Sequence, residues 1–185
     1  MTKKVLVPLA QGCEELEAVT IIDILVRGGV DVISASLDKN KVITASRGVQ
    51  LIANKTLDEV LEESFDMIVL PGGLPGADYL NSDQRIIALL KQTALNQGIT
   101  AAICAAPKVL VTAGLLDNRK ATSYPGVIDQ NPANGMQYIN TPVVTDGNIV
   151  TSRGPGTAID FALELLQMLM DEKTRNEVEA ALVRG

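Results

Sequence analysis

The strongest constraint on this chain is an alternation between short apolar runs and longer stretches with helical periodicity. VLVPLA begins the alternation, and DMIVL and ITAAI continue it, with helix-like segments between them. Short, continuous apolar runs are typical of strands covered on both faces, and the segments between them are typical of amphipathic helices. The alternation therefore predicts an α/β fold with an open, mostly parallel sheet between helical layers.

Three of the predicted helices carry specific expectations. In the first, residues 13–29, the apolar residues Leu16, Val19 and Val26 recur at helical spacing. Residues 57–64 are predicted as a short amphipathic helix. Residues 155–183 are predicted as one long helix. No repeat or linker interrupts the pattern, so residues 1–185 are predicted to form one domain.

A further helix is predicted over residues 82–98. Ser82 is expected to cap its amino end, because a serine hydroxyl can accept a hydrogen bond from a free backbone amide of the first turn. Its inward-facing residues are expected to be Ile86, Leu89, Leu90 and Leu95.

The charge of the chain limits its partners. Lysine and arginine total 16 against 22 aspartate and glutamate residues, a net charge of −6 at pH 7. Nucleic acids and anionic membranes both attract clustered basic residues, so neither is an expected partner. No apolar stretch reaches the length of a membrane span, and the first apolar run is too short for a signal peptide. We therefore expect a cytoplasmic protein.

The chain contains no histidine. This excludes Ser-His-Asp and Cys-His catalysis by its own residues and removes the commonest protein ligand of zinc. Its two cysteines, Cys13 and Cys104, form no CxxC motif and predict neither a disulfide framework nor a metal site. Acid–base chemistry must therefore come from carboxylates, Tyr, Lys or Cys. No metal and no cofactor are expected.

Three loops with unusual chemistry follow predicted strands: residues 12–17, 71–76 and 103–107. In open α/β sheets, ligands bind at the carboxyl ends of the strands. These loops are therefore expected to form a common site.

Cys104 lies where the run ITAAI stops and a helix begins, with small residues on both sides. A nucleophile elbow needs small neighbours, since the backbone turns sharply there, and a helix N-terminus would favour a thiolate. A buried free cysteine that acts as a small hydrophobic residue explains the position equally well. Both interpretations stay open on the pattern alone. For Cys13, we expect a small side chain in a tight loop, with a resolving cysteine as the alternative.

Acidic residues crowd the start of the first helix. Their default role is to stabilise the helix dipole. Glu17 has an alternative role, because a side chain turned toward the strand ends would meet Cys104. Two negative charges would repel there, so the stable arrangement is one shared proton, with a protonated Glu17 donating to a thiolate of lowered pKa.

Two glycine-rich stretches have competing interpretations. The loop from Gly72 to Gly76 is either a tight turn after a strand or an anion hole made of backbone amides. The stretch from Ser152 to Thr157 is sufficiently explained as the start of the last helix.

Five segments in chain order together resemble one known family. They are EELEAVTIIDILVRGG, ASRGV, DMIVLPGGLPGA, AAICAAP and TSRGPGTAIDFAL. Singly these motifs are weak, but five ordered blocks over nearly the whole chain are specific. The sequence resembles the ThiJ/PfpI superfamily, in the branch of ThiJ/YajL and the Parkinson-linked DJ protein.

The resemblance implies a flavodoxin-like three-layer sandwich of the class I glutamine amidotransferase type, and a homodimer. It implies a reactive elbow cysteine at Cys104, a protonated acidic partner at Glu17, and anion-hole amides at Gly73 and Ala105. Further positions that match or adjoin the family blocks are Gly72, Tyr124, Arg153, Asp23 and Arg47.

The sequence departs from many relatives near the cysteine. Where they carry a histidine, in a segment resembling ATSYP, this chain has Tyr124. Proteolysis of the Cys-His-acid type is therefore not expected. Glu17 is expected to carry any proton transfer, with Tyr124 as a candidate helper.

Two active functions follow from the resemblance. In the first, a glyoxalase III or deglycase, the Cys104 thiolate adds to a small reactive aldehyde such as methylglyoxal, or to its early adduct on a protein side chain. In the second, a redox sensor or stress chaperone, Cys104 oxidises to a sulfinate without turnover. An inert Cys104 in a vestigial site is the third interpretation.

Overall fold

The computed structural model describes residues 2–184, and its centre is a seven-stranded sheet. The strands that form it are β1 (Lys4–Leu9), β2 (Asp31–Ser36), β5 (Lys55–Thr56), β6 (Met67–Leu70), β7 (Ile99–Ile103), β10 (Val143–Asp146) and β11 (Ile149–Ser152). Two small pairs lie outside it: β3 (Val42–Thr44) with β4 (Gln50–Ile52), and β8 (Lys120–Ala121) with β9 (Gln137–Tyr138).

Helices cover both faces of this sheet. They are α1 (Glu15–Arg27), α2 (Gly76–Ser82), α3 (Gln84–Leu95), α4 (Pro107–Thr112), α5 (Ala158–Leu169) and α6 (Glu172–Ala181). Alternate residues of a strand point to opposite faces. In β1, Val5 and Val7 join the apolar core beneath α1 and α5, whereas Leu6 joins the core beneath α2, α3 and α4. The predicted three-layer α/β sandwich is confirmed.

The strand order explains where the site lies. Across the sheet it is β10-β11-β7-β6-β1-β2-β5, and every neighbouring pair is parallel except β10 with β11. Because β7, β6 and β1 are adjacent and parallel, their carboxyl ends lie side by side. The loops at residues 12–17, 71–76 and 103–107 therefore meet at one edge, as the sequence predicted.

Helix α3 differs at both ends from the helix predicted over residues 82–98. Ser82 ends the separate helix α2, which the sequence did not predict, and the carboxylate of Asp83 caps α3 by accepting from the amide of Arg85 at 2.9 Å. Leu95 is 83% exposed rather than inward. It lies two and a half turns beyond Ile86, so it occupies the opposite face of the helix.

Helix α1 has two apolar faces. The residues packed against the sheet include Ala18, Ile21 and Leu25, whereas Leu16, Val19 and Val26 are each about half exposed. Helical spacing correctly predicted helix α1. The apolar residues that gave this prediction, Leu16, Val19 and Val26, lie on its outer face rather than against the sheet.

Two other predicted helices were wrong in extent. The C-terminal helix is broken at Met170, after which the Asp171 carboxylate caps α6 through the amide of Thr174. Of residues 57–64, only Leu57–Val60 is helical, as a 3-10 turn. No helix within residues 2–184 combines the length and apolar character needed to cross a bilayer.

Candidate active site

Cys104 occupies a sharp bend directly after β7. Its φ of 63° lies in the left-handed region, which residues other than glycine rarely adopt and which is frequent at functional sites. Its amide donates to the carbonyl of Ser152 at 3.0 Å, and its carbonyl accepts from the amide of Tyr124 at 2.9 Å. The bend is the geometry of a nucleophile elbow. Cys104 as a whole is 9% exposed to solvent.

The acids of the 12–17 loop have three different roles. Glu14 caps α1, because its Oε2 accepts from the amide of Glu17 at 2.8 Å. The Glu15 carboxylate accepts from the Ser46 hydroxyl and from the Arg47 amide. Glu17 is fully buried and its Oε2 accepts from the amide of Gly72 at 2.8 Å. Among these acids, Glu17 is the one turned inward toward the strand ends.

Gly72 is where the acid and the cysteine approach each other. A Cβ built on Gly72 would lie 2.7 Å from Cβ of Cys104, 2.9 Å from Oε2 of Glu17 and 2.9 Å from the carbonyl oxygen of Ile103. All three separations are shorter than van der Waals contact. Only glycine therefore allows both side chains to pack at this point.

Burial raises the pKa of Glu17 to about 7, and the Gly72 amide and the Cys104 thiol oppose the rise. Since Oε2 accepts from Gly72, a proton on this carboxyl belongs on Oε1. Oε1 is buried without a hydrogen-bond partner among residues 2–184. The Cys104 thiol is the neighbouring side chain that interacts with this carboxyl. Glu17 is thus a carboxyl poised to gain or lose a proton near neutral pH.

The pKa of Cys104 depends on the charge of Glu17. Burial raises it, an ionised Glu17 raises it further to about 12, and the amides of Gly73 and Ala105 lower it. The thiolate of lowered pKa that the sequence predicts is therefore not favoured while Glu17 is ionised. Protonation of Glu17 removes the repulsion and supplies a donor, so only the neutral acid favours a thiolate. The lowered pKa remains a prediction.

The amides of Gly73 and Ala105 both donate toward the Cys104 sulfur, which is why they lower its pKa. Gly73 has a φ of 86°, and a Cβ there would lie 2.7 Å from the carbonyl oxygen of Gly12. Two amides in this arrangement can stabilise negative charge on sulfur or on an oxygen bonded nearby. The structure places both amides beside the Cys104 sulfur, and their role as an anion hole stays a prediction.

The remaining candidate residues from the sequence have surroundings that differ from those of Cys104 and Glu17. Tyr124 and Arg153 line an adjoining cleft. Cys13 is fully buried, and burial together with Glu15 raises the pKa of its thiol to about 12. Asp23 forms an exposed ion pair with Arg27 at 2.6 Å.

Sequence reasoning missed Ser152, whose carbonyl fixes the Cys104 amide. Every residue type has a backbone carbonyl, so the sequence could not indicate that Ser152 makes this contact. Among residues 2–184, no group of three or more Cys, Asp or Glu residues is arranged to hold a metal ion.

Comparison with known proteins identifies close relatives. The chain is 40% identical over 183 residues to "Protein DJ-1 homolog A" of Arabidopsis thaliana, covering 98% of this chain but 47% of that protein. The chain therefore spans about half the length of that relative. It is 33% identical over 168 residues to "Glutathione-independent glyoxalase DJR-1.2" of Caenorhabditis elegans, covering 91% of this chain and 89% of that protein.

Solved structures match equally well. The crystal structure of Drosophila melanogaster DJ-1beta superposes with a TM-score of 0.95 at 38% identity, covering 100% of both chains. The structure described as "Toxoplasma gondii DJ-1, oxidized" superposes with a TM-score of 0.94 at 40% identity, again over 100% of both chains. The model of the DJ-1/PfpI family matches residues 3–168. Sequence, fold and site geometry lead to one conclusion: the chain belongs to the DJ-1/PfpI family.

Proposed function

We propose that this protein acts on small reactive carbonyl compounds through Cys104, as a glyoxalase or a deglycase. The observation that carries the proposal is the convergence of a sulfur nucleophile, a buried acid with a pKa of about 7 and two amide donors. The C. elegans relative named a glutathione-independent glyoxalase supports the same chemistry.

The proposed reaction begins with one proton shared by the pair. The Cys104 thiolate attacks the aldehyde carbon of methylglyoxal, and the Gly73 and Ala105 amides stabilise the alkoxide that forms. Glu17 donates its proton to this oxygen, which gives a hemithioacetal. Glu17 then removes the proton from the same carbon and returns it to the neighbouring carbon, while the hydroxyl proton moves to the former ketone oxygen, which gives a lactate thioester.

Hydrolysis completes the cycle. Glu17 takes a proton from water, the resulting hydroxide attacks the thioester carbon, and the carbon–sulfur bond breaks. Lactate leaves, the sulfur is again a thiolate and Glu17 is again protonated. The net change is methylglyoxal plus water to lactate and one proton, with no other reactant required.

Three proteins test this proposal: wild type, Cys104→Ala and Glu17→Leu. We expect wild type to convert methylglyoxal to lactate, measured by enzymatic assay of the lactate formed. Both variants should lose this activity, because one lacks the nucleophile and the other lacks the proton carrier. If all three proteins consume methylglyoxal at the same rate, the proposal is wrong.

Redox sensing or chaperone activity is the second candidate function. Here Cys104 oxidises to a sulfinate held by Glu17 and the Gly73 amide, and the protein has no turnover. The Toxoplasma relative solved in an oxidised form favours this alternative. The two functions differ in whether oxidation of Cys104 ends the activity or constitutes it.

We further propose that the protein is a cytoplasmic homodimer. The outer face of α1 carries Leu16, Val19 and Val26, and the β3–β4 hairpin exposes Val49 and Ile52. A second copy on this face would remove their apolar surface from water.

A further inference from the structure

A cleft of about 330 Å³ adjoins the candidate active site. Its volume falls in the lower part of the range typical of small-molecule sites, and methylglyoxal would fill only a small part of it. Its walls are formed by Tyr124, Pro125, Pro142, Arg153, Gly154, Pro155, Gly156 and Thr157.

Two backbone hydrogen bonds link Cys104 to the segments that form the walls of the cleft. The backbone amide of Tyr124, on one wall, donates to the carbonyl of Cys104 at 2.9 Å. On the other wall, Arg153 directly follows Ser152, whose carbonyl accepts from the Cys104 amide at 3.0 Å. One wall of the cleft therefore contacts the backbone of Cys104 directly, and the other is one residue removed from such a contact.

Arg153 is the charged residue that lines the cleft, and its side chain has no hydrogen-bond or ion-pair partner among the residues that the structure describes. Its Nε is buried without a hydrogen bond, and its guanidinium forms no ion pair within residues 2–184. The arginines that do pair with acids are Arg27, Arg85, Arg119, Arg175 and Arg184. A buried donor left unsatisfied is costly, so an unpaired guanidinium on a cleft wall indicates a missing acceptor.

We propose that this cleft binds a carboxylate carried by the carbonyl substrate. The proposal rests on the proposed function and specifies its substrate class: α-oxoaldehydes whose chain ends in a carboxylate. Arg153 would hold the carboxylate through paired N–H donors. Tyr124, Pro142 and Pro155 would contact the methylene groups between the carboxylate and the aldehyde, which reaches Cys104.

A matched pair of substrates tests the proposal in the intact protein. One is an α-oxoaldehyde with a carboxylate two methylene groups beyond the ketone, and the other is its methyl ester. We expect wild type to favour the acid over the ester by about tenfold or more in kcat/KM. In Arg153→Gln this ratio should fall to about one, and Arg153→Lys should retain part of it. Lys173→Gln removes the same charge on α6 and should keep the wild-type ratio.

A ratio near one in wild type, or an unchanged ratio in Arg153→Gln, would overturn the carboxylate subsite. Loss of turnover on both substrates would instead count against the proposed function, so binding is measured separately. Levulinate, which keeps the ketone and carboxylate but lacks the aldehyde, is titrated into Cys104→Ala by calorimetry. Adding Arg153→Gln should weaken this binding about tenfold or more. Equal affinity in the two proteins, or no binding to Cys104→Ala, would sink the subsite whatever the turnover shows.

Discussion

Glu17 and Cys104 come from different strand ends and approach the same side of Gly72, where a single methyl group would touch both. The acid reaches this point from the first turn of α1, and the cysteine from the bend after β7. Their contact is therefore set by the order of the strands and by the absence of one side chain.

Gly72→Ala is the most direct test of this arrangement. The added Cβ would overlap Cβ of Cys104 and the carbonyl oxygen of Ile103, so we expect a loss of about 1–3 kcal/mol in the free energy of unfolding. Urea denaturation measures it. Gly156→Ala is the control, since a Cβ at Gly156 meets no atom within 4 Å. Equal stability of the two variants would contradict the packing described here.

The raised pKa of Glu17 makes stability depend on pH with a definite sign. Between pH 4.5 and about 7 the folded protein holds a proton on Glu17 that the unfolded chain has released. This contribution is present at low pH and is lost as pH rises through the folded pKa. We expect wild type to lose up to about 3 kcal/mol relative to Glu17→Gln across this interval, at 1.36 kcal/mol per pKa unit.

Urea unfolding of both proteins at a series of pH values measures this difference. A difference that stays constant from pH 4.5 to pH 8 would show that Glu17 titrates at its ordinary pKa.

Titration of Cys104 shows where the shared proton is held. We expect the neutral form of Glu17, which predominates below a pH of about 7, to donate to the sulfur, so Glu17→Leu should raise the pKa of Cys104 by removing the donor. Thiolate absorbance in the ultraviolet measures it, with Cys104→Ala as the baseline. If the charge is on Glu17 instead, Glu17→Leu will lower the pKa of Cys104, because its ionised form raises it.

The two cysteines should respond differently to oxidation. Cys13 is fully buried, and the negative charge of Glu15 further disfavours its thiolate. Cys104 instead has two amide donors and an acidic partner, Glu17, that can become neutral. We expect mild peroxide to add two oxygens at Cys104 and to spare Cys13, as measured by peptide mass spectrometry. Oxidation spread evenly over Cys13 and the methionines would exclude the sensor function.

The proposed dimer depends on the outer face of α1. Replacing Val19, which is 48% exposed, by Asp should shift the protein toward the monomer in sedimentation velocity measurements. Leu95→Asp is the matched control, because Leu95 is also an exposed apolar residue but lies on α3. A wild type that sediments as a monomer, or two variants that behave alike, would place the interface elsewhere or exclude it.

Much of the fold could be predicted because apolar runs and helical spacing report burial directly. They do not report which of two apolar stripes faces the sheet, and α1 has both. The break at Met170 was equally invisible, since residues 171–177 are polar but include no glycine or proline that would end a helix, while the Asp171 carboxylate starts a new helix. The cap at Asp171, rather than the overall helical pattern, therefore determines where α6 begins.

The site was predictable in its residues but not in its electrostatics. Loops after parallel strands must meet, so Cys104 and Glu17 could be paired from sequence. The two opposing effects on the Cys104 pKa, an ionised neighbour against two amides, required geometry. The unpaired state of Arg153 was also undetectable, because the sequence offers 22 acidic residues as possible partners.

Cys104 is fastened through its own backbone to β11 on one side and to the segment of Tyr124 on the other. A larger group on its sulfur that displaces this backbone would therefore also displace those two neighbours. Tyr124 lines the cleft, and the β11 residue Ser152 directly precedes the lining residue Arg153. A covalent change that moves the backbone of Cys104 would thus alter the shape of the protein surface, and one linkage could serve both an enzyme that releases its product and a sensor that signals its own oxidation.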